Sequence, residues 1–499
     1  MKLSASVISI PDTLPGSLAS NAVLPNKGRR LLILTVFLLA VTAVIFPLFK
    51  TPILGIANNG DFGKVCLAFA LSAPAEEEYN FVSRIYHFDE SKRWDSLSVS
   101  TEVLLVRVAQ VIDDWIYLPG PDLDIRSMGI VHGVPFVAGL GLLIAFVLRQ
   151  SGWRGWLLAA VGFFLLSDFM YVSYWNSFST DAAAISFAML AAGLAVWVRL
   201  RPDWLLALLL TAALCAMVAA KVQHAVFLVP LAVWILLTGR NWWPRWGRWF
   251  SMVAAAAVVI SGLATWRGTM GGYAGIASYN VAFYRILPWS GDANAALAEL
   301  GLDSSFKQYS GTHSYSPGAP LMDLDWLLAF EKKVSTRKVA WYLARHPQLA
   351  WRMLIDGMNH AGVQRPQNVG NFEKSAGFEP KALSAHFGLW SSLKSFVFAE
   401  QGALYFGYSL FLAASLGWLM RGRSMADLGW LLITLAFTAM GVGCLGDILE
   451  VTRHLFLFDA LLDGMLWAVL VLLAGPAASN TVRNPLHSLW PLNVYPHAN

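Results

Sequence analysis

Residues 31–49 read LLILTVFLLAVTAVIFPLF, and this stretch decides the fold class. It carries no charged side chain, and at about 1.5 Å per residue a helix of this length crosses the roughly 30 Å hydrocarbon core of a bilayer. Arg29 and Arg30 precede it. Because Lys and Arg accumulate on the cytoplasmic side of membrane helices, we expect the chain to enter the membrane from the cytoplasm and to emerge on the opposite face. A small-residue cleavage site is lacking, so the run is predicted to be a retained signal anchor.

Composition supports the same class. Hydrophobic residues make up 57% and charged residues 13% of the 499 positions, and the mean hydropathy is +0.54, which excludes a soluble globular protein. The formal charge of +5 is explained by Lys and Arg beside the spans, so no nucleic-acid partner is inferred. Cys66, Cys215 and Cys444 are odd in number and Cys215 lies within an apolar run, which indicates neither a disulfide framework nor a cysteine metal site.

Nine further apolar runs predict an all-α polytopic membrane protein with about ten transmembrane helices. They cover residues 128–148, 155–173, 182–198, 204–220, 222–239, 250–266, 403–420, 427–445 and 457–475. With the amino terminus inside, four arginine groups all fall in cytoplasmic connections, as the positive-inside bias requires. These groups are Arg149/Arg154, Arg199/Arg201, Arg240/Arg245/Arg248 and Arg421/Arg423.

The predicted order is a cytoplasmic tail (1–29), a first span (30–49), a first extracytoplasmic loop (50–126), spans two to seven (127–266), a long extracytoplasmic segment (267–402), spans eight to ten (403–475) and a second cytoplasmic tail (476–499). Both long outer segments contain apolar residues at helical spacing. Thr101–Tyr117 predicts a helix lying on the membrane, and Leu324–Met358 predicts another, broken at Pro347. Such helices either brace a cavity or only cover the bundle.

Polar side chains collect at the outer ends of the predicted spans, where an unpaired polar group is expensive unless it faces a cavity. The first cluster is IANNGDFGK at residues 56–64, which places Asp61 just beyond the first span. Three more clusters follow at the outer face, at residues 168–181, 221–224 and 447–454. Few comparable clusters lie at the inner ends, apart from the arginines.

Each cluster also has a purely structural interpretation. In that interpretation Asp181 is no more than a helix cap, and Glu450 and Arg453 form only an i,i+3 ion pair. Lys221 and His224 are then interfacial residues with their polar ends in water, and residues 58–60 are an ordinary turn. Those alternatives remain open at the level of sequence.

Several motifs, taken in order, resemble the GT-C superfamily of membrane glycosyltransferases, and most closely a bacterial branch implicated in hexose transfer during surface-glycan synthesis. The motifs are NNGDF at 58–62, YWNSFSTD at 174–181, KVQH at 221–224, YRILP at 284–288 with residues 297–302 after it, and EVTRHL at 450–455. Each is short, but their order and shared side strengthen the resemblance, which covers most of residues 30–475.

This resemblance implies transfer of a sugar from a polyprenyl-phosphate carrier to a glycan, lipid or protein acceptor at the outer face of the cell's inner or plasma membrane. It places the acid that acts on the acceptor hydroxyl at Asp61, with Asp181 as a second acidic motif. A hydroxyl nucleophile needs a base within hydrogen-bond reach, and a departing phosphate needs cationic donors. The candidate binding residues are Asn58, Asn59, Lys64, Tyr174, Asn176, Lys221, Gln223, His224, Glu450, Arg453 and His454.

Several GT-C members carry two adjacent acids where this chain has one after Gly60, so the need for a divalent metal stays open. No Gly-rich nucleotide cradle is evident, which favours a lipid-linked donor. Two other classes compete: a transporter or flippase of lipid-linked sugar, and a non-catalytic scaffold of a surface-polymer machine. An inverted repeat would favour the transporter, and tolerance of change at Asp61 would favour the scaffold.

Overall fold

The computed structural model describes residues 26–89, 91, 100–117, 120, 122–150, 154–242 and 246–474. The predicted tail at 476–499, and all but the last four residues of the predicted tail at 1–29, lie outside that part of the chain. The chain divides into two compact units, residues 1–43 and residues 44–499. In the first unit the described part is helical throughout, and it begins the helix α1, Asn26–Phe49.

The second unit contains nineteen further α-helices among the described residues. Those before the second long segment are α2 (Gly63–Ala68), α3 (Thr101–Ile116), α4 (Arg126–Gln150), α5 (Arg154–Leu166), α6 (Phe169–Val172), α7 (Thr180–Leu200), α8 (Trp204–Ala220), α9 (Leu228–Thr238) and α10 (Gly247–Tyr279). The others are α11 (Leu287–Trp289), α12 (Ala293–Leu300), α13 (Leu324–Lys333), α14 (Thr336–Arg345), α15 (Pro347–Gly362), α16 (Leu389–Phe398), α17 (Gly402–Met420), α18 (Ala426–Leu445), α19 (Val451–His454) and α20 (Phe456–Ala474).

Within the described part, eight helices are long and apolar enough to cross a membrane. The helices Arg154–Leu166 and Phe169–Trp175 are long and apolar enough only when taken together as a bent pair, and α8 is a shorter apolar helix of 17 residues. These ten positions are the ten apolar runs of the sequence. The prediction of an all-α polytopic membrane fold is therefore confirmed.

The third predicted span differs from a straight helix. It bends by 50° at Ser167 and Asp168. Asp168 caps the second half, because its Oδ1 accepts a hydrogen bond from the amide of Met170 at 2.9 Å, and its Oδ2 accepts one from the amide of Ser391 at 2.9 Å. An Asp favours a helix start over a helix interior, since its side chain competes for backbone amides. Hydropathy alone did not indicate this break.

Close packing in the bundle depends on small residues where α4 crosses α7. A β-carbon added to Gly193 would lie 2.6 Å from the carbonyl oxygen of Gly139, and one added to Gly139 would overlap the backbone carbonyl of Met189. Glycines permit such approach between membrane helices, where packing supplies much of the association energy.

Gly139→Ala should therefore destabilise the protein by about 1–3 kcal/mol, because the two helix backbones must separate. The matched control is Gly407→Ala on α17, where an added β-carbon meets nothing within 4 Å. Thermal unfolding of both purified variants in detergent checks the expectation. Equal unfolding midpoints would show that the α4–α7 crossing tolerates a methyl group.

Among the described residues of the two long segments there are five short strands, which were not predicted. They are β1 (Leu54–Ile56), β2 (Leu71–Ser72), β3 (Ile85–Phe88), β4 (Asp122–Asp124) and β5 (Val369–Phe372). Strand β1 pairs antiparallel with β5, with Leu54 opposite Phe372, and β2, β3 and β4 form an antiparallel sheet in that order. The β1–β5 pair joins the two long segments next to the end of α1.

The predicted helix at 324–358 is three helices. Pro347 begins α15, because a proline is well accommodated at the first helical position. The other break, at Val334 and Ser335, was not predicted; Ser335 caps α14 by accepting a hydrogen bond from the amide of Lys338. These helices pack with the end of α10 around an apolar core that contains Phe283, Leu297 and Tyr342. That core holds the second long segment in place.

Candidate functional site

Four stretches come together at one end of the second unit, which we call the site end. They are residues 54–64, 173–181, 221–224 and 446–455, and ion pairs or hydrogen bonds connect them. The four polar clusters of the sequence therefore meet in space.

The turn after β1 positions Asp61. Asn58 Oδ1 accepts hydrogen bonds from the amides of Gly60 and Phe62, and Asn59 Oδ1 accepts one from the amide of Asp61. Gly60 has φ +99°, which favours glycine. The turn interpretation is thus correct for the backbone, but both side-chain amides also reach outward: Asn58 Nδ2 donates to Glu78 at 3.1 Å and Asn59 Nδ2 donates to Glu450 at 2.8 Å.

Asp181 is not the cap of α7. Ser179 caps the helix, and its side chain accepts a hydrogen bond from the amide of Asp181. The carboxylate of Asp181 is buried and accepts two hydrogen bonds from Lys221 Nζ, at 3.0 and 3.1 Å. The interpretation of Asp181 as a helix cap alone is wrong.

Arg453 is the centre of the site. Its guanidinium contacts Asp61, pairs with Glu450 at 2.7 Å and lies 3.8 Å from Asp181. Its Nη2 also lies 3.3 Å from His454 Nε2. Because Arg453 joins acids from three parts of the chain, its pair with Glu450 is more than a local helical ion pair.

Burial changes the acid–base properties of this cluster. Burial lowers the pKa of Arg453 to about 10, which leaves the guanidinium charged at neutral pH. Burial, followed by the charges of Lys221 and Arg453, holds the pKa of His454 well below its usual value, so this imidazole is neutral at neutral pH. Burial raises the pKa of Glu450.

Lys64 adds a second cationic position near Lys221. Its ammonium lies 4.6 Å from the centre of the Tyr273 ring, and burial and the charge of Lys221 lower its pKa. Tyr273 in turn donates a hydrogen bond to Asp447 at 3.0 Å. Burial raises the pKa of Asp447.

Residues 221–224 are not interfacial residues in water. The Lys221 side chain is 11% exposed and His224 is 2% exposed. Gln223 Nε2 donates a hydrogen bond to the carbonyl of His454 at 2.6 Å, which connects residues 221–224 to helix α19. The alternative that these side chains keep their polar ends in water is therefore wrong.

Several buried polar atoms at the site end have no hydrogen-bond partner among the described residues. They include Tyr174 Oη, Gln223 Oε1, His224 Nδ1 and Arg453 Nε. A buried polar atom without a partner costs free energy, which a hydrogen bond to a bound molecule would recover. These four atoms are available to a polar ligand.

Tyr174 and Asn176 differ in their surroundings. The Tyr174 ring packs against Phe456 with centroids 4.1 Å apart. Asn176 is 1% exposed, and its Nδ2 donates hydrogen bonds to the carbonyls of Leu48 and Leu54 at 2.7 and 2.9 Å. The Asn176 amide group therefore connects the end of α1 to β1 through these two hydrogen bonds.

A cavity of about 380 Å³ opens beside Arg453, between the two long segments. This volume is within the range of small-molecule sites, about 300–1,000 Å³. The described residues lining it are Asn58, Asn59, Tyr79, Pro366, Gln367, Asn368, Lys381, Glu450, Thr452 and Arg453. Four of them carry side-chain amides, which donate and accept hydrogen bonds.

Six lining residues were missed by sequence reasoning: Tyr79, Pro366, Gln367, Asn368, Lys381 and Thr452. The β1–β5 pairing brings the 366–368 stretch to the site, where the Ala57 amide donates to the carbonyl of Asn368 at 3.1 Å. A polar run after the predicted helix was the available signal, but strands of three and four residues are too short to predict. Tyr79 and Lys381 have positive φ, of 69° and 61°, a strained conformation that is common at ligand sites.

The acids here do not fit a divalent metal. Among the described residues, no group of three or more His, Cys, Asp or Glu side chains is arranged to hold a metal ion. Asp61 contacts Arg453 and Asp181 pairs with Lys221, so the carboxylates that would bind a cation already have cationic side chains beside them.

The fold and site define a polytopic α-helical membrane protein with a polar, charged cavity at one end of its helices. The model of the family described as YfdI N-terminal transmembrane domain matches residues 22–484. The chain belongs to this family. No curated protein and no solved structure matches the chain.

Proposed function

We propose that this protein is a GT-C-type glycosyltransferase that moves a sugar from a polyprenyl-phosphate carrier to an acceptor hydroxyl. The observation that carries the proposal is the contact of Arg453 with Asp61 beside an amide-lined cavity at the end of membrane helices. An acid and a phosphate-binding cation at one place are the two groups that such a transfer needs. Family membership supports a membrane protein of this general kind.

In the proposed reaction, the acceptor oxygen attacks the anomeric carbon and forms the new glycosidic bond. The bond from that carbon to the phosphate oxygen breaks, and its electron pair leaves with the polyprenyl phosphate. Asp61 takes the hydroxyl proton. Arg453 and Lys221 stabilise the departing phosphate, Arg453 with a planar guanidinium that can donate two parallel hydrogen bonds.

His224 and His454 complete the phosphate site in this proposal. Because His454 is neutral at neutral pH, it would serve as a hydrogen-bonding group and not as a cation. The unpartnered Nδ1 of His224 and Nε of Arg453 supply further contacts for phosphate or sugar oxygens. Asp181 holds the Lys221 ammonium in place, which is a positioning role.

The lining of the cavity supports a glycan acceptor over a lipid. Asn58, Asn59, Gln367 and Asn368 present amides that suit sugar hydroxyls, and the half-exposed Tyr79 ring offers an apolar face for a sugar ring. A protein acceptor remains the alternative that a transfer assay with oligosaccharides would separate.

We place the site end on the extracytoplasmic face of the cell's inner or plasma membrane. Support comes from the arginines of the cytoplasmic connections: Arg199 pairs with Asp427 at 2.7 Å at the far end of α7, about 30 Å along that helix from Asp181. A site on that face has no access to nucleotide sugars, which is consistent with a lipid-linked donor.

The Arg453 side chain provides the test of carrier binding. Arg453→Ala should weaken affinity for a short-chain polyprenyl phosphate in detergent by about 1.5–3 kcal/mol, the scale of a hydrogen bond to a charged group. Arg453→Lys keeps the charge but loses the planar fork, so it should recover only part of the affinity. Equilibrium binding to the purified variants is the measurement.

Glu450→Gln is the comparison variant, because Glu450 pairs with Arg453 at 2.7 Å and its carboxylate would repel a phosphate. The affinity of the Glu450→Gln variant for the polyprenyl phosphate should fall less than that of Arg453→Ala. Unchanged affinity across all three variants would mean that Arg453 serves only as a structural ion-pair partner, and the proposed carrier site would have to be abandoned.

A further inference from the structure

Helix α16 has its apolar face outward. Leu389, Leu393, Phe396 and Val397 are exposed, and Phe396 is 87% exposed. Their spacing of four, three and one residues places them on one face of a helix. On a surface in contact with water, these are the residues that a helix would bury.

The opposite face of α16 carries the buried side chains of Ser391 and Lys394, with the apolar side chains of Trp390 and Phe398 partly buried beside them. Lys394 Nζ pairs with Asp463 Oδ2 at 2.8 Å, and both side chains are only 1% exposed. The amide of Ser391 donates to Asp168 Oδ2 at 2.9 Å. The charged side chain of α16 therefore lies inside the protein, and four of the five exposed side chains of the helix are apolar.

The partners of α16 belong to membrane-spanning helices. Asp463 lies seven residues after the start of α20, a candidate membrane span, and therefore about 10 Å along it from the site end. Asp168 lies at the break in the third span. The Phe169 amide also donates to the carbonyl of Phe387 at 3.0 Å, so the segment before α16 packs against the same break.

We propose that α16 is embedded in the membrane and that acyl chains of bilayer lipid cover its outward face. A face of four large apolar side chains is stable against hydrocarbon and costly against water. The buried Lys394 is explained by the same setting. Hydrocarbon offers no hydrogen bonds, so Lys394 must find its partner within the protein, and Asp463 is that partner.

The break in the third span has a role in this arrangement. The 50° bend frees the Asp168 carboxylate to bind the start of α16, and the ring of Trp390 packs against Phe164 of α5. Helix α16 is then a short intramembrane element near the end of the second long segment, just before α17. The chain enters the membrane at this point before α17 crosses it.

Bimane fluorescence at single cysteines tests the proposal in proteoliposomes, in a background in which the three native cysteines are replaced by alanine. Phe396→Cys is the test position. Phe411→Cys on the exposed side of α17 is the hydrocarbon reference, and Glu379→Cys in an exposed turn is the water reference. Quenching by lipids brominated on the acyl chain is compared with quenching by aqueous iodide.

We expect the ratio of bromolipid to iodide quenching to exceed one at positions 396 and 411 and to fall below one at position 379. A ratio below one at position 396 would place α16 in water and overturn the proposal. Protection of position 396 from both quenchers would overturn it as well, because a second copy or another protein would then cover the face.

A measurement on the unmodified chain guards against misfolding of the cysteine-free background. A phospholipid with a diazirine in its acyl chain is activated in proteoliposomes of the wild-type protein, and the labelled peptides are identified by mass spectrometry. Labelling of the peptide containing residues 389–398 is expected. Labelling of α17 without labelling of that peptide would contradict the embedded position.

Discussion

Asp61→Asn should reduce sugar transfer by about 100-fold or more while the protein stays folded, because the amide keeps the shape of the carboxylate but cannot take the hydroxyl proton. Asp61 contacts Arg453, so the substitution also removes a charge beside a buried guanidinium. Glu450 still pairs with Arg453 at 2.7 Å in the variant, which should limit the loss of stability.

The measurement is transfer of a labelled sugar from polyprenyl phosphate by the purified protein, together with its thermal unfolding midpoint. The matched control is Asp114→Asn, an exposed Asp on α3 of the same long segment, which should retain wild-type turnover. Near-normal turnover by folded Asp61→Asn protein would remove Asp61 from the base role and direct attention to Asp181. A scaffold without catalytic activity predicts no sugar transfer by the wild-type protein either.

Lys394→Met should destabilise the protein by about 3–5 kcal/mol, since it leaves the carboxylate of Asp463 buried without its cation. The Tyr171 hydroxyl still donates to Asp463 Oδ2 at 2.6 Å, but it supplies no charge. Unfolding in detergent, followed by heat or denaturant, gives the comparison with wild type.

Two controls separate burial from the simple loss of a lysine. Lys374→Met breaks a 2.7 Å ion pair between Lys374 and Glu76, whose side chains are 44% and 70% exposed respectively. This substitution should lower the free energy of unfolding by no more than about 1 kcal/mol. Adding Asp463→Asn to Lys394→Met removes the unpaired charge and should restore much of the lost stability. If Lys394→Met and Lys374→Met unfolded alike, the buried pair would not be a source of stability.

Hydropathy was sufficient to locate the membrane helices in the sequence, because a bilayer requires a long apolar run in each helix whatever that helix packs against. In the described part of the chain each of the ten predicted runs is helical over most of its length, and the third run is interrupted at Ser167 and Asp168. The same reasoning could not foresee the bend at Asp168, since it depends on Ser391, which is 223 positions away in sequence. Nor could it show that the 324–358 region is interrupted at Ser335.

In the candidate site, too, the sequence indicated individual residues, and the tertiary structure showed which of them are in contact. Asp61, Asp181, Lys221 and Arg453 were proposed separately, from their positions near span ends, and the structure brings them together by ion pairs. Tyr79, Gln367 and Lys381 were missed because their place beside the cavity depends on pairing between segments about 300 residues apart in sequence.

The sequence by itself determined the class of the protein, the location of its spans and the chain positions of its charged clusters, because the cost of placing polar groups in hydrocarbon acts on each segment separately. Only the tertiary structure decided which charges are partners. Asp61 and Arg453 lie in different helix connections, and their contact follows from how the helices and the β1–β5 pair assemble. The outward apolar face of α16 could not be predicted from the sequence either, because a lysine in an apolar helix is informative only when its buried partner is known.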